Sequence, residues 1–381
     1  MRNRRENTQS EWLFLLKALL LTALLLPAVA LAAPTATAPT APAPTVPAAP
    51  VVPAAPLPVA PGGEASCPEK RPLINGTFLQ LLEQNGNWER GRWESLFDSL
   101  HQLGVRQVVV QWTLHDGRAF YAGKTFGAVP RPPLETILEL AQARGIEVYL
   151  GLAAESGYWE RIRQTPLHQG EYLERLRWKS ERVAREVAAI ASRYGSFKGW
   201  YLPEEIDDLD WRSPQARSVL VQHLRRLGAF LKQLTPAGTV MLSGFTSART
   251  DPVTYGEFWN TLFRETPVDV LLFQDAAGTG RLPQELLPAY LKALRDAADA
   301  NGKKLQVVVE LFTEVSADPF KAVPAPISRV RQQLRTADEY ATGGINSFSV
   351  PDYMLPEAGG VAPGLLHGYR KYKEGGQLTA P

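Results

Sequence analysis

The sequence predicts a single (β/α)8 TIM barrel, an α/β fold, on three observations. Between residues 67 and 381, eight apolar runs of strand length alternate with eight longer amphipathic stretches. Several of the amphipathic stretches stop on Gly, which tolerates the left-handed backbone at a helix end. Two others open on Ser-Pro or Asp-Pro, an N-cap followed by a proline that suits the first helical turn. Strand then helix, eight times over, is the pattern of a parallel barrel ringed by helices.

The strands are expected in order. The first is "PLINGTFLQ" (72–80), and "RWESLFDSLHQLG" leads from it to "VRQVVVQWT" (105–113). "PLETILELAQARG" leads to "IEVYLGLA" (146–153), and "YLERLRWKSERVAREVAAIASRYG" to "FKGWYLPEEID" (197–207). "SPQARSVLVQHLRRLGAFLKQL" precedes "GTVMLSGFT" (238–246), and "DPVTYGEFWNTLFRET" precedes "VDVLLFQD" (268–275). "LPQELLPAYLKALRDAADANG" precedes "LQVVVELFT" (305–313), "PISRVRQQLRTADEYATG" precedes "GINSFSVPD" (344–352), and "GLLHGYRKYKEG" closes the series. An open doubly wound sheet is the rival. It would usually carry a Gly-rich phosphate turn after its first strand, and "NGTFLQLLEQNGNWERG" lacks the G-x-G-x-x-G spacing. Three segments read as long loops: "LHDGRAFYAGKTFGAVPRP", "ESGYWERIRQTPLHQG" and "EVSADPFKAVPAP".

Ahead of the barrel, residues 1–33 combine a basic lead, the apolar "ALLLTALLLPAVALA" and small residues at 30–32, the layout of a secretory signal. The alternative is an uncleaved anchor over Trp12 to Ala33, the only case in which a membrane is a partner. Residues 34–66 are almost entirely Pro, Ala, Thr and Val, with no period to fold on, and read as an extended, disordered linker. The expected location is periplasmic or secreted. The lone Cys67 cannot form an internal disulfide. The chain carries 41 basic and 39 acidic residues; residues 1–33 hold four and two of these, which leaves 37 of each. A neutral globular part argues against nucleic acid as a partner.

Polar and aromatic residues at the C-terminal ends of barrel strands share one mouth. Strands one to three supply Gln80, Gln111 and Trp112, with Glu155 just beyond. Strand four supplies Tyr201, Glu204, Glu205, Asp207 and Asp208. Strand six ends in Gln274 and Asp275, strand seven in Glu310 and then Glu314, strand eight in Asp352 and Tyr353. Carboxylates and amides bond hydroxyls while rings stack on the apolar faces of sugars, so a polysaccharide or oligosaccharide is the expected ligand. Tyr158 and Trp159, in the loop after strand three, are candidate sugar platforms. Plainer roles stand beside these. Gln80 and Gln111 could bond each other, Asp208 could accept backbone donors in a loop, and Glu314 reads as a loop residue.

Cleavage of a glycosidic bond needs two carboxyl groups in different protonation states. Glu205 within "PEEID" and Glu310 within the apolar "VVVELF" are the informative pair, because an ionisable group in such a setting is costly unless paired or used. The five histidines show neither His-x-His nor His-Glu-x-x-His spacing, so no metal site and no cofactor are implied. "MLSGFTS" lacks the Gly-x-Ser-x-Gly elbow of a serine hydrolase.

"GTFLQ", "VVVQWT" and "GWYLPEEID" resemble the bacterial barrel family catalogued as domain of unknown function 4434, across roughly residues 72–370. Glutamates after strands four and seven are similar to those of the clan A retaining glycosidases. That resemblance implies Glu205 as acid/base and Glu310 as nucleophile. Clan A has Asn before its acid/base, where this chain has Glu204, which leaves Glu204 or Glu205 for the role. Glu205 falls second in the pair, as the clan's glutamate does. Strand alternation should turn Glu204 the other way, toward an Arg or Lys. The expected function is a glycoside hydrolase-like enzyme acting on a polysaccharide by a retaining mechanism. The alternative is a non-catalytic glycan-binding barrel in exopolysaccharide export or cell-envelope assembly.

Overall fold

The computed structural model describes residues 71–317, 319–358 and 363–375, so the expected signal segment, the linker and Cys67 lie outside the described residues. Eight parallel strands follow one another in sequence order: β1 Gly76–Leu79, β2 Gln107–Val110, β3 Glu147–Gly151, β4 Phe197–Ile206, β5 Thr239–Gly244, β6 Val270–Gln274, β7 Lys304–Glu310 and β8 Ile345–Phe348. Eight helices cover them: α1 Arg90–Leu103, α2 Leu134–Ala143, α3 Pro166–Ala191, α4 Pro214–Leu234, α5 Pro252–Glu265, α6 Leu287–Ala300, α7 Ile327–Tyr340 and α8 Pro363–Glu374. The result is a nearly closed TIM barrel.

β8 meets β1 through side chains as much as backbone. Asn75 N donates to Ile345 O at 2.8 Å, Ser347 Oγ to Gly76 O at 3.0 Å, and Thr77 Oγ1 to Ser347 O at 3.4 Å. Thr77 Oγ1 in turn accepts from Val350 N at 2.9 Å. Inside the barrel, Phe78, Val109, Tyr149, Tyr201, Met241 and Leu272 belong to one apolar layer. Below it the floor is polar. Gln107 and Gln306 exchange two hydrogen bonds of 2.9 and 3.0 Å, and Asn346 Nδ2 donates to Gln306 at 3.3 Å. Gly76 is required there, since a Cβ would lie 2.8 Å from the Asn346 amide nitrogen. Alternate side chains face outward and pack under the helices, as Trp200, Leu202 and Leu242 do.

The caps explain where helices begin and stop. Ser213 Oγ accepts from Ala216 N at 3.1 Å ahead of Pro214, and Asp251 Oδ1 accepts from Val253 N and Thr254 N at 3.0 and 3.1 Å ahead of Pro252. Gly104, at φ 93°, ends α1.

The three expected loops are more ordered than the sequence reading. The first folds into a small sheet in which Leu114–His115 pairs with Arg118–Ala119 across an Asp116-Gly117 turn and also with Ala153–Ala154. Asp-Gly is a hairpin-turn signal that was present in the sequence. The second contains a helical turn, Tyr158–Ile162, and then α3, which starts at Pro166 with Thr165 as N-cap. The third is a β-hairpin, Phe312–Ala317 with Phe320–Pro324, fastened by Phe312 edge-on to Phe320 at 6.0 Å. The expected eighth strand also ends early, because Val350–Tyr353 is helical.

β4 carries the feature that positions the site. Leu202 sits opposite Leu242 and Glu205 opposite Ser243, so Pro203 and Glu204 are two extra residues in β4. Glu204 turns outward, 1% exposed, and its Oε1 hydrogen-bonds His223 Nε2 on α4 at 2.7 Å. The partner is a histidine instead of the expected Arg or Lys. Glu205 faces inward on the same register.

Two outcomes follow for stability. Thr77→Val keeps the shape but leaves the Val350 amide without an acceptor, and should cost about 1–3 kcal/mol. Urea unfolding should show a lower midpoint with an unchanged slope. His223→Leu leaves a buried carboxyl without its partner and should cost about 3–5 kcal/mol, whereas the double change Glu204→Met/His223→Leu should recover most of that loss. A double variant as unstable as the single one would refute this account.

Candidate active site

The C-terminal ends of the strands open onto one pocket, whose void is about 970 Å³ including the part open to solvent. Glu205 from β4 and Glu310 from β7 both stand in its wall. Glu205 Oε1 accepts a hydrogen bond from Gln274 Nε2 at 3.0 Å. Glu310 Oε2 accepts from the amides of Gly278 and Thr279 at 2.6 and 3.2 Å. In each carboxyl the second oxygen accepts no hydrogen bond from any described residue. One oxygen of each carboxyl is held and the other is unengaged.

Burial pushes the Glu205 carboxyl up to about 7, against the opposing effects of the Gln274 amide and the Arg281 charge. Burial and the neighbouring Asp275 carboxyl push Glu310 up to about 8, against the two amides and Arg281. Asp275 itself stands behind the wall. Its Oδ1 accepts from Ala277 N at 3.1 Å and Glu310 N at 3.3 Å, and its Oδ2 from Gln333 Nε2 at 2.6 Å. Burial raises it to about 6. Its closest role is to hold the end of β7 and to set the charge beside Glu310.

Several other predicted residues join the pocket wall. Gln80 Nε2 donates to Gln111 Oε1 at 2.6 Å, so the two amides bond each other and still face the cavity. Trp112 is 1% exposed, donates from Nε1 to Leu81 O at 2.7 Å, and stacks on His115 with centroids 4.7 Å apart. Glu155 is paired with Lys179. Tyr158 and Trp159 stand in the wall but are 9% and 5% exposed. Tyr158 Oη donates to the backbone carbonyl of Glu205 at 3.1 Å, and Trp159 packs edge-on to Phe245. These two rings brace the site more than they present open faces.

The remaining predicted residues sit off the pocket. Tyr201 lies within the barrel and donates to Ser243 Oγ at 2.9 Å. Asp207 is 3% exposed, accepts from Asp210 N at 2.8 Å, and is raised to about 7 by burial and by Asp210. Asp208 accepts from the amides of Ser247, Arg249 and Thr250 and clamps the loop before α5. Asp352 is bonded to Ser349 on the short helix after β8, and Tyr353 stacks on Phe312 at 5.3 Å.

The sequence reading omitted Phe245, Arg281, Phe312 and Phe348, all of which line the cavity. Phe245 and Phe348 fall within or at the ends of expected strands, so alternation carried a signal for them. Arg281 lies in the loop between β6 and α6, where nothing in the sequence fixes its direction. Its guanidinium carbon is 5.7 Å from the centroid of the Phe245 ring. Among the described residues, no group of three or more His, Cys, Asp or Glu side chains is arranged to hold a metal ion.

A family profile described as Domain of unknown function (DUF4434) matches residues 74–360. "Uncharacterized protein YbcH" of Escherichia coli (strain K12) is 30% identical over 268 residues, covering 68% of this chain and 84% of that protein. Among solved structures, a Bacteroides thetaiotaomicron VPI-5482 protein provisionally named an alpha-L-fucosidase is similar with a TM-score of 0.64 at 21% identity, covering 83% of this chain and 97% of that one. The beta-galactosidase of the psychrophilic Marinomonas ef1 is similar with a TM-score of 0.54 at 10% identity, covering 80% of this chain and 61% of that one. At these identities the two structures bear on the fold alone. The profile match and the relationship to YbcH are of another order, and on them the chain belongs to the DUF4434 family.

Proposed function

We propose that this barrel is an exported glycosidase that cleaves a polysaccharide or oligosaccharide with retention of configuration. The observation that carries the reading is the pair Glu205 and Glu310, on separate strands of one pocket, each with one oxygen held and one unengaged. Glu310 takes the nucleophile's role that the clan's glutamate after strand seven has, and two backbone amides favour its ionised form against burial and the Asp275 charge. It attacks the anomeric carbon while Glu205 gives its proton to the departing glycosidic oxygen, leaving a glycosyl ester on Glu310. Glu205 then takes a proton from water as the water oxygen attacks the same carbon and releases Glu310. Phe348, half-buried at the cavity, supplies apolar wall against which a sugar ring can pack.

A non-hydrolytic glycan-binding barrel is the second reading. One observation favours it: Glu204, at the place of the clan's Asn, has its carboxyl turned to His223, so the cavity lacks the amide that the retaining enzymes carry there.

Release of reducing ends from a panel of bacterial and plant polysaccharides tests the reading. Glu310→Gln should lower kcat by orders of magnitude on every substrate, while Glu205→Gln should lose far less on an aryl glycoside whose leaving group needs no proton. Proton NMR of the first product should show the anomer of the substrate. Binding without release of ends by the wild type would leave the glycan-binding barrel.

The pH dependence has a definite sign. Below about 8 Glu310 progressively takes up a proton, and above about 7 Glu205 progressively loses its own. The active combination therefore peaks between those values, and kcat/KM should be bell-shaped with its maximum there. Asp275→Asn removes a charge that raises Glu310, so the acid limb should move to lower pH. An acid limb that stays in place or moves up would sink the assignment of Glu310.

A further inference from the structure

The charged groups around the cavity fall into two sets. In the first, every group has a protein partner: Glu155 is paired with Lys179, and Glu204 with His223. Arg329, below the wall, donates to the carbonyl oxygens of Ala277 at 2.8 Å, Glu310 at 3.2 Å and Phe312, and is part of the scaffold. Arg281 is different. It lines the cavity, forms no ion pair and no hydrogen bond with any described residue, and its Nη2 is buried without a partner. Phe245 supports one face of the guanidinium. Arg281 is half-buried, and a buried N–H donor such as its Nη2 is costly to leave unmade.

The carboxyl groups whose charges bear on Arg281 are Glu310, Glu314, Glu205 and Asp207, and none of the four forms an ion pair with it. Burial pushes each of them upward, to about 8, 7 and 7 for Glu310, Glu205 and Asp207, so below neutrality these three are mostly uncharged. A guanidinium that lines the cavity without an ion-pair partner attracts an anion, and its planar fork matches a carboxylate.

We infer that Arg281 is the receptor for a carboxylate carried by the substrate, so that the sugar taken into this pocket is a uronic acid or another carboxylated residue of an acidic glycan. The inference rests on the glycosidase reading for its setting, and it adds the class of substrate. Arg281 then acts as a specificity residue, pairing with the sugar carboxylate while Glu205 and Glu310 face the scissile bond.

Calorimetric titration tests it. Oligogalacturonate, oligoglucuronate and oligomannuronate are each compared with their methyl esters and with neutral glucan and xylan oligomers of equal length. At least one acid should bind wild type about tenfold or more tighter than its ester, the factor a charge-assisted hydrogen bond supplies, and high salt should shrink the difference. In Arg281→Gln the ratio of acid to ester affinity should fall to near one, and Arg281→Lys, a point charge without the fork, should keep part of it. Thermal unfolding of both variants checks that they fold, and the acid-to-ester ratio of the wild type needs no variant. Equal affinity for every acid and its ester overturns the inference, as does a preference that survives in Arg281→Gln. Loss of cleavage of acid and ester alike in Arg281→Gln, with a displaced pH profile, would make Arg281 a positioning residue for Glu310 and also overturn it. If neutral oligomers are cleaved and acids are not preferred, only this inference fails. If no acidic or neutral oligomer is bound or cleaved, the glycosidase reading fails with it.

Discussion

Side chains that follow one another on a strand point to opposite sides, and in β4 that constraint separates two adjacent glutamates into different environments. The two extra residues, Pro203 and Glu204, keep Glu205 level with Ser243 instead of letting it rise beyond the mouth. Glu204 is drawn outward to His223 on α4, and the backbone carbonyl of Glu205 is held by Tyr158. The direction of the Glu205 carboxyl therefore depends on contacts made on both sides of the barrel wall. Gln274 on β6 then fixes one of its oxygens.

Across the barrel, Glu310 is fixed by a different device. The loop after β6 folds back so that the amides of Gly278 and Thr279 point at Glu310 Oε2. Gly278 is needed for this approach, since a Cβ there would lie 2.7 Å from Phe312 O and 2.8 Å from Glu310 Oε2. Asp275 and Gln333 brace the same turn from behind. Burial disfavours the charged form of both catalytic candidates, while hydrogen-bond donors and the Arg281 charge favour it. The balance leaves both groups titrating near neutrality, the range in which a carboxyl can either give or accept a proton.

The rest of the molecule supplies rigidity. An amide floor of Gln107, Gln306 and Asn346 closes one end of the barrel, and an apolar layer with Tyr201 lies between it and the pocket. Polar groups inside the barrel are thereby matched with each other, which avoids the cost of buried donors without acceptors. Asp208 performs a comparable service outside the wall by gathering the loop amides that precede α5.

The order of strands and helices, the Ser213 and Asp251 caps and the presence of Glu205 and Glu310 at the mouth were legible in the sequence, because each follows from local periodicity, from a cap-and-proline pair, or from strand parity. Two further local signals went unread: the Asp116-Gly117 turn, and the Thr165-Pro166 start of α3, which repeats the pattern of Ser213-Pro214. Other features had no local signal at all. Whether Tyr158 and Trp159 offered open faces or filled space depended on Glu205, Phe245 and Tyr172 arriving from other parts of the chain. The pairing of Glu204 with His223 joins residues on a strand and a helix 19 positions apart, and Arg281 is set against Phe245 with no ion-pair partner among the described residues. The sequence by itself determined which elements form and which strand ends carry carboxylates, since those are properties of short windows. Only the tertiary structure decided which carboxylates are paired, which are pushed upward by burial and which cation has no ion-pair partner among the described residues, because burial and charge balance are set by distant segments packing together.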